Sequence, residues 1–377
     1  VRSLDVAREA AERHLPGLCA ALSELPLLDL EKPGNPGIGL FRAHGGPALL
    51  VPKEHGGVGA SPVEVMRTIT AVSSCSPSLA VGTAMHHFTV ATLYEVVAAD
   101  PEALESILLQ EIAAKGLLIS SGGAEGRTGQ SIVAPSMTAV PVEGGYLVNG
   151  SKKPCSLARS MDLLSATVAL PAGDDGPALG MMVVPADLPG ISVHPFWKSE
   201  ILAGAESEEV RLADVEVAED FVVRPELDDP SGVDVLTAIA FVWFQCMISA
   251  VYLGAAAGLA ERVFRERRGG AAGRAALGVR LDTATCLVEG LARLVEQRDF
   301  DGDALAKAVI SRFAVQDAIT DAAGQAAELL GGMAFIGSPE IAYLLAACRP
   351  LAFHPPSRTA CLDGLAGYFE GGSFRIA

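Results

Sequence analysis

Basic residues are scarce in this sequence. Its 377 residues include 28 Lys and Arg against 45 Asp and Glu, which gives a formal net charge of −17. A phosphate polyanion needs a compensating field of positive charge, so this deficit excludes nucleic acid and an anionic membrane surface as general partners. A phosphate-bearing ligand would have to be held by a local group of residues.

The cysteines lack the spacing that disulfide frameworks and zinc sites require. They are odd in number and form neither a CxxC pair nor a Cys/His cluster. They stand at positions 19, 75, 155, 246, 286, 348 and 361. The first 25 residues also lack a basic start followed by an apolar signal core, since their apolar residues recur at helical intervals among charges. We therefore expect a cytoplasmic protein without a metal site.

Two common nucleotide-binding motifs are absent as well. Neither a P-loop nor a GxGxxG after a strand occurs. The richest apolar window begins at Leu79 but contains His86, His87 and Glu95, so we expect a buried helix and no membrane span. Adjacent histidines point about 100° apart on a helix, and no third ligand follows them. The pair is interpreted as structural or pocket-lining.

What the sequence does contain is apolar surface in three zones of different periodicity. Hydrophobic residues make up 50% and charged residues 19%, which suffices for a large core and excludes disorder. The first zone is helical, with expected helices at 3–25, 61–75, 79–98 and 101–114. The second zone has short β-rich runs at 117–120, 131–140, 145–150, 163–170, 179–186, 191–197 and 208–217. The third returns to long helices, which predicts an α+β protein ending in a helical bundle.

Four segments, in this order, resemble motifs of the acyl-CoA dehydrogenase family over nearly the whole chain. They are LVPKEHGGVGASPVE (50–64), YLVNGSKKPCSLARSMD (146–162), GISVHPFWKSEILAGAESEEVRLADVEVAEDFVV (190–223) and LLGGMAFIGSPEIAYLLAACR (329–349). The resemblance implies an N-terminal helical domain (1–115), a central β-barrel-like domain (116–228) and a C-terminal four-helix bundle (229–377). It also implies FAD as cofactor and a homodimer or homotetramer.

In that family a carboxylate removes the α-proton of an acyl thioester while a hydride passes to the flavin. The usual base is the Glu of a Tyr-Glu-Gly-Thr motif, about two dozen residues after the first glycine of the LGG segment. Here Pro355 stands 24 residues after Gly331, and proline cannot take a proton. Some relatives place the base on the first bundle helix, but the matching stretch 240–254 has no carboxylate and puts Phe244 at that position.

Two residues remain as candidates for acid–base chemistry. His354 precedes Pro355, and an imidazole with an ordinary pKa near 6.5 can act as acid or base at neutral pH. Its structural alternative is the packing of a rigid turn. Glu370 lies further along, before two glycines, and is interpreted either as a displaced base or as the exposed end of a helix.

The resemblance also places the cofactor contacts. Residues 120–127 stand where the family has a flavin-contacting turn and keep hydroxyls at Ser120 and Ser121. Cys155 and Ser156 match the hairpin pair beside the flavin ring. The Arg-x-x-Phe-Gly motif that grips the ADP half of FAD is missing, although Arg267 and Arg274 could pair a pyrophosphate or form a solvated loop. Gly331 and Gly332 occupy the turn on the adenine side.

Three functions are open at this point. The first is a flavin-dependent oxidoreductase of specialised metabolism that acts on an acyl thioester, held on coenzyme A or on an acyl or peptidyl carrier protein. The second is a flavin-dependent monooxygenase on the same fold, favoured by the missing Glu and by Lys-Lys-Pro-Cys-Ser at 152–156, which resembles the hydroxylase branch. The third is a flavin-free relative, either a non-redox enzyme or a structural subunit. The expected substrate pocket is formed by Met85, His87, Trp243 and Phe244.

Overall fold

The structure is a computed structural model that describes residues 1–126, 135–171, 178–223, 235–298, 300 and 302–374. The predicted α+β organisation, helical, then β, then helical, is confirmed. The first zone contains α1 (Arg2–His14), α2 (Leu18–Ser23), α3 (Leu27–Leu30), α4 (Gly37–Ala43), α5 (Pro62–Cys75), α6 (Pro77–Ala99) and α7 (Glu105–Lys115). The second contains β1 (Ile119–Gly122), β2 (Thr138–Val142), β3 (Gly145–Cys155), β4 (Leu163–Leu170), β5 (Ala178–Pro185), β6 (Ile191–His194), β7 (Glu208–Ala218) and β8 (Val222–Val223). The third contains α8 (Val235–Arg265), α9 (Ala271–Glu296), α10 (Gly302–Leu330), α11 (Gly332–Gly337), α12 (Pro339–Ala347) and α13 (Arg358–Phe369).

Local capping explains where the N-terminal helices begin and end. Ser61 and Glu64 form a reciprocal capping box at the start of α5, and the Ser76 side chain caps α6 by accepting from the Leu79 amide. The expected single helix at 3–25 is instead two helices, because Pro16 and Gly17 interrupt it. Gly17 has a φ of 80°, which a helix cannot contain.

The strands form one eight-stranded sheet with its own apolar core. The order is β6-β7-β3-β2-β4-β5-β8, and β1 pairs in parallel with β4. An isolated bridge between Ser121 and Ser156 also joins β1 to the residue after β3. The end of β3 is thereby fixed beside β1. The expected boundary between residues 228 and 229 lies outside the described residues, and the division into three domains stays a prediction.

The two helical zones share one hydrophobic core, separate from that of the sheet. Helix α8 lies at its centre and crosses α5 closely. A Cβ added at Gly254 would lie 2.3 Å from the carbonyl oxygen of Thr70, so only glycine allows this approach. Residues 238–265 are long and apolar enough to cross a membrane, but 89% of their most apolar window is buried inside the protein. The helix therefore occupies the position of a core helix.

A buried carboxylate connects all three zones. Glu31 is 2% exposed and accepts hydrogen bonds from the hydroxyls of Ser76, Ser78 and Tyr343. Its own carbonyl accepts from the Gly204 amide at 2.8 Å. Burial raises the pKa of Glu31, and the hydrogen bonds oppose that effect. The start of α6, helix α12 and the loop before β7 are thereby joined at one residue.

Replacing Gly254 by Ala tests the close crossing of α5 and α8. The added methyl must push the helices apart, so we expect the free energy of unfolding to fall by about 2 kcal/mol. Gly290→Ala is the control, because it is also inside a helix but its Cβ would meet no atom within 4 Å. That variant should be unchanged or more stable by up to about 1 kcal/mol. Urea denaturation measures both, and an equal response of the two variants would contradict the packing argument.

Candidate active site

The candidate active site is the region where α6, the ends of β1 and β3, helix α8 and the turn at residues 350–357 meet. Helix α6 approaches the sheet at Gly82, where an added Cβ would lie 2.9 Å from the Leu157 side chain. On its other side, Phe88 of α6 packs edge-on against Phe244 of α8, with 5.8 Å between ring centroids. The Phe244 ring in turn lies 6.0 Å from that of His354.

Hydroxyl groups gather where β1 and β3 end. Ser120 donates to the carbonyl of Ser156 at 2.7 Å, and the Ser156 and Ser207 hydroxyls are 3.0 Å apart. Both Ser120 and Ser156 are buried, whereas Ser121 is half-buried. The predicted contacts Ser120, Ser121 and Ser156 are thus neighbours in space. The segment that contains Ser120 also includes Arg127, which lies outside the described residues.

Cys155 lies on the other side of the strand. Neighbouring strand residues point to opposite faces, and the Cys155 side chain lies in the sheet's core. Burial raises the pKa of its thiol to about 12, so it stays neutral. The structure therefore separates Cys155 from Ser156, although the sequence motif treats them as a pair.

The four expected pocket residues divide into two pairs. Met85 and Phe244 are half-buried and retain access to solvent. His87 and Trp243 are each 1% exposed, and the Trp243 indole donates to Glu95 at 3.3 Å inside the protein. Sequence reasoning missed Phe88, although its spacing of three residues from Met85 places it on the same face of α6. An apolar wall of Met85, Phe88 and Phe244 results.

The ring of His354 lies next to Phe244 of this wall, and its Nε2 atom is hydrogen-bonded to a residue of α8. Its Nε2 atom lies 2.8 Å from the hydroxyl of Tyr252, a buried residue on α8. Part of the residue remains accessible to solvent, yet protein atoms surround the ring. This burial, together with the positive charge of Arg312, lowers the pKa of His354 to about 3. The imidazole is therefore neutral at physiological pH.

A buried arginine holds the turn that carries His354. Arg312 is fully buried and donates to the carbonyls of Leu351, His354 and Pro356, at 3.3 and 2.9 Å for the first two. Desolvation lowers the pKa of Arg312 to about 10, so the guanidinium still carries its charge at neutral pH. Three backbone dipoles stabilise that charge. No local sequence pattern indicates Arg312 or Tyr252, because the contacts of these residues with His354 span 42 and 102 positions of the chain.

The adjacent histidines of α6 differ in their hydrogen bonds. Both ring nitrogens of His86 have a partner, whereas Nδ1 of His87 has none among the described residues. The Ile119 amide donates to Nδ1 of His86 at 3.1 Å, which leaves Nε2 to donate to the Pro47 carbonyl at 3.0 Å. Burial lowers the pKa of His86 to about 4. His87 packs edge-on against Phe41, and its buried Nδ1 has no hydrogen-bond partner among the described residues. No group of residues that could hold a metal ion occurs in the described part of the chain.

The remaining predicted cofactor residues meet at the far end of the bundle. The turn between α8 and α9 contacts the end of α10, because a Cβ at Gly269 would lie 2.4 Å from the Leu329 side chain. Gly331 and Gly332 follow directly, and an added Cβ at either would meet nothing within 4 Å among the described residues. Arg267 is exposed in this turn. Arg274 donates to the backbone carbonyls of residues 267, 268 and 269 and so closes the turn.

Glu370 lies at the exposed C-terminal end of α13. None of its hydrogen bonds within the described residues involves a side chain of the candidate active site. The structure thus brings His354 beside Phe244 and Phe88, and it brings the serines beside one another near the point where α6 meets β1. Met85 lies on α6 one turn before Phe88. The structure leaves Glu370, Arg267 and Arg274 on the surface.

Comparison with known proteins gives one close relative over the whole length. The chain is 50% identical over 378 residues to isobutylamine N-hydroxylase of Streptomyces viridifaciens, with 100% of both chains covered. FMN-bound TdsC of Paenibacillus sp. A11-2 has a similar structure, with a TM-score of 0.82, 18% identity and coverage of 100% of this chain and 99% of that one. KijD3 in complex with FMN and dTDP-3-amino-2,3,6-trideoxy-4-keto-3-methyl-D-glucose also has a TM-score of 0.82, with 21% identity and 98% and 94% coverage. No family model matches the chain.

Arg312→Lys tests whether the three-carbonyl contact holds the His354 turn. A lysine keeps the charge but cannot reach all three carbonyls with one planar group, so we expect the free energy of unfolding to fall by about 2 kcal/mol. The control is Arg280→Lys, which replaces a half-buried arginine that donates to the side chain of Gln325 alone. It should cost about 0.5 kcal/mol or less. Equal losses in chemical denaturation would show that Arg312 does not have this role.

Proposed function

The chain belongs to the family of isobutylamine N-hydroxylase, on the acyl-CoA dehydrogenase-like fold, and on this premise we propose that it is a flavin-dependent monooxygenase that N-hydroxylates a small primary aliphatic amine. This is the second of the three functions that the sequence left open. The comparisons favour it over the first, which was dehydrogenation of an acyl thioester. The coarser description, an oxidoreductase, applies to both.

The surroundings of the His354 ring carry the proposal, because burial there keeps the pKa of the imidazole low. A group with a pKa of about 3 is too weak a base to remove an α-proton from a thioester. Its ring neighbours among the described residues are Tyr252 and Phe244, and neither supplies a carboxylate. N-hydroxylation needs no such base at carbon, because the lone pair of a neutral amine is itself the nucleophile.

The residues of the candidate active site fit a flavin. Its ring needs apolar contact on its faces and hydrogen bonds along one edge. Met85, Phe88 and Phe244 offer the first, and Ser121 and Ser156 offer the second. When bound and reduced, the flavin supplies two electrons, so that one atom of dioxygen enters the amine and the other leaves as water. In this arrangement, the role of the chain is to position both reactants and to exclude water.

We propose FMN as the flavin in place of the FAD expected from the sequence. The ADP half of FAD needs cations for its pyrophosphate, and Arg274 was one of the two candidates. Its guanidinium already donates to three backbone carbonyls of its own turn. Arg267 is exposed, and its neighbour Arg268 is paired with Glu266, so these charges bind a phosphate only weakly. Two structural neighbours contain FMN, which also supports this assignment.

The apolar wall selects the form of the substrate. An alkylammonium ion loses hydration when it enters a site lined by Met85, Phe88 and Phe244, whereas the free amine loses little. Desolvation there lowers the pKa of the bound amine and favours its nucleophilic form. The neutral His354 adds no repelling charge. Neither coenzyme A nor a carrier protein is required for such a substrate.

The expected homodimer or homotetramer stays a prediction, and exposed apolar side chains support it. Met333, Ile336, Phe353 and Phe369 are between 70% and 82% exposed. A single chain in water would leave this C-terminal surface unfavourably solvated. A second copy of the chain is the partner we expect there.

The proposed reaction is tested by supplying reduced FMN and isobutylamine under labelled dioxygen. We expect N-isobutylhydroxylamine that contains one labelled oxygen atom, detected by mass spectrometry. FAD in place of FMN should support slower turnover, because its ADP half lacks a paired cation. If butyryl-CoA instead bleached the oxidised flavin anaerobically, the chain would be a dehydrogenase and the proposal wrong.

Replacement of His354 tests its place in the reaction. His354→Asn keeps a polar side chain but removes the ring that helps to position the reactants, and we expect hydroxylamine formation to fall about 100-fold while FMN affinity changes little. Tyr252→Phe removes the hydrogen bond that fixes the ring and should cost about 10-fold. Since the pKa of His354 is about 3, titration of this residue should not produce an inflection near pH 6.5 in the rate. The pH profiles of the wild type and of His354→Asn should therefore have the same shape around that pH.

Glu370→Gln is the matched control for the other catalytic candidate. The residue is exposed at the end of α13, so the substitution should leave the rate within about two-fold. A loss as large as that of His354→Asn would assign the chemistry to Glu370 instead. An inflection near pH 6.5 that His354→Asn abolishes would contradict the neutral imidazole.

A further inference from the structure

Two cysteines that are far apart in sequence meet on the surface of the N-terminal helical zone. Cys19 lies on α2 and Cys75 is the last residue of α5, and both are half-buried with access to solvent. Ser23 is four residues after Cys19 and therefore on the same face of α2. Its hydroxyl donates to the Cys19 carbonyl at 2.7 Å and lies 3.7 Å from Sγ of Cys75. This face of α2 is thus directed at Cys75, and Ser23 brings the two cysteines to the same place on the surface.

We propose that Cys19 and Cys75 form a modification site at which hydrogen peroxide produces an intramolecular disulfide. Cys75 is the nucleophile and Cys19 is the resolving thiol. The disulfide joins α2 to the corner between α5 and α6. Spacing along the sequence gave no indication of this pair, because 56 positions separate its members.

The surroundings give the two thiols different roles. The hydrogen bond from Cys19 is the main effect that lowers the pKa of Cys75, helped by the hydroxyls of Ser23 and Ser74 and by the charge of Arg8. The same interaction raises the pKa of Cys19, and Glu12 adds to this while Arg8 opposes it. A thiolate is the reactive form of cysteine. The hydroxyls of Ser23 and Ser74 lie 3.7 and 3.9 Å from the Sγ atom of Cys75 and can donate to a thiolate there, so Cys75 is the sulfur that reacts first.

The chemistry balances in two steps. The Cys75 thiolate attacks one oxygen of hydrogen peroxide and the O–O bond breaks. Hydroxide is the leaving group, and Cys75 becomes a sulfenic acid. The Cys19 sulfur then attacks the Cys75 sulfur and gives up its proton, and the sulfenic oxygen leaves as water. In total two thiols lose two electrons and two protons, and one peroxide molecule becomes two molecules of water.

The oxidant is one that the proposed function would itself supply, since reduced flavin that reacts with dioxygen without substrate releases hydrogen peroxide. The site does not require that source. Peroxide added to the purified chain tests the disulfide directly, so its outcome is independent of whether the chain is a monooxygenase.

The experiment treats the full chain with hydrogen peroxide and maps its peptides by mass spectrometry without reduction. We expect a loss of two hydrogen atoms per chain and one cross-linked peptide pair containing Cys19 and Cys75, reversed by a thiol reductant. Cys286→Ser is the control, because it removes an exposed cysteine on α9 and should leave the cross-link unchanged. Cys19→Ser should abolish the cross-link and carry Cys75 on to the sulfinic acid.

Wild-type protein alone decides the outcome if a variant fails to fold. Oxidation of Cys286 without any Cys19–Cys75 peptide would overturn the proposal, as would a cross-link between other cysteines. If a thiol-alkylating reagent at neutral pH modifies Cys75 of the wild-type chain no faster than Cys286, then Cys75 is not an activated nucleophile and the assigned roles are wrong.

Discussion

The buried carboxylate of Glu31 is the constraint on which the position of α6 depends. It lies at the N-terminus of that helix and accepts from Ser76 and from the hydroxyl and amide of Ser78. A negative charge at a helix N-terminus is favourable, because the first amides have no partner within the helix. The hydroxyl of Tyr343, which also accepts from the Leu202 amide, joins the bundle and the β-zone to the same point. These donors offset part of the cost of burying a carboxyl group that is 2% exposed.

Because this end of α6 is fixed, the positions of the active-site residues further along the helix are fixed as well. Met85 and Phe88 follow Ser78 by two to three turns. Gly82 lies between Ser78 and Met85 and lets the helix pack against Leu157. The opposite wall comes from α8, which the same core holds against α5. The position of the apolar wall thus follows from one buried acid and a few glycines. Rigid helices position a site more accurately than loops do.

Sequence reasoning predicted what depends on local pattern and missed what depends on distant contacts. The expected helix at 61–75 agrees with α5 to within one residue and that at 79–98 agrees with α6 to within two, and the order helical, β, helical follows from periodicity alone. His354 was found by counting from Gly331, since the family's spacing survives although its residues do not. Tyr252, Arg312 and the pairing of Cys19 with Cys75 could not be found in this way. Each acts through a contact between segments that no window of the sequence contains.

The same residue that holds His354 in place also helps to keep it neutral. Arg312 binds the carbonyls on both sides of the ring, and its positive charge opposes a second positive charge on the imidazole. Burial acts in the same direction and is the larger effect. Among the described residues Arg312 is bound by backbone carbonyls and not by a carboxylate, so no described counterion cancels its charge toward its neighbours. A glutamate at position 355, where the family's usual base would stand, would gain from that charge and become a weaker base. The replacement of that acid by Pro355, next to a neutral His354, is therefore consistent with a site that takes no proton from carbon and leaves the nucleophile's role to the amine.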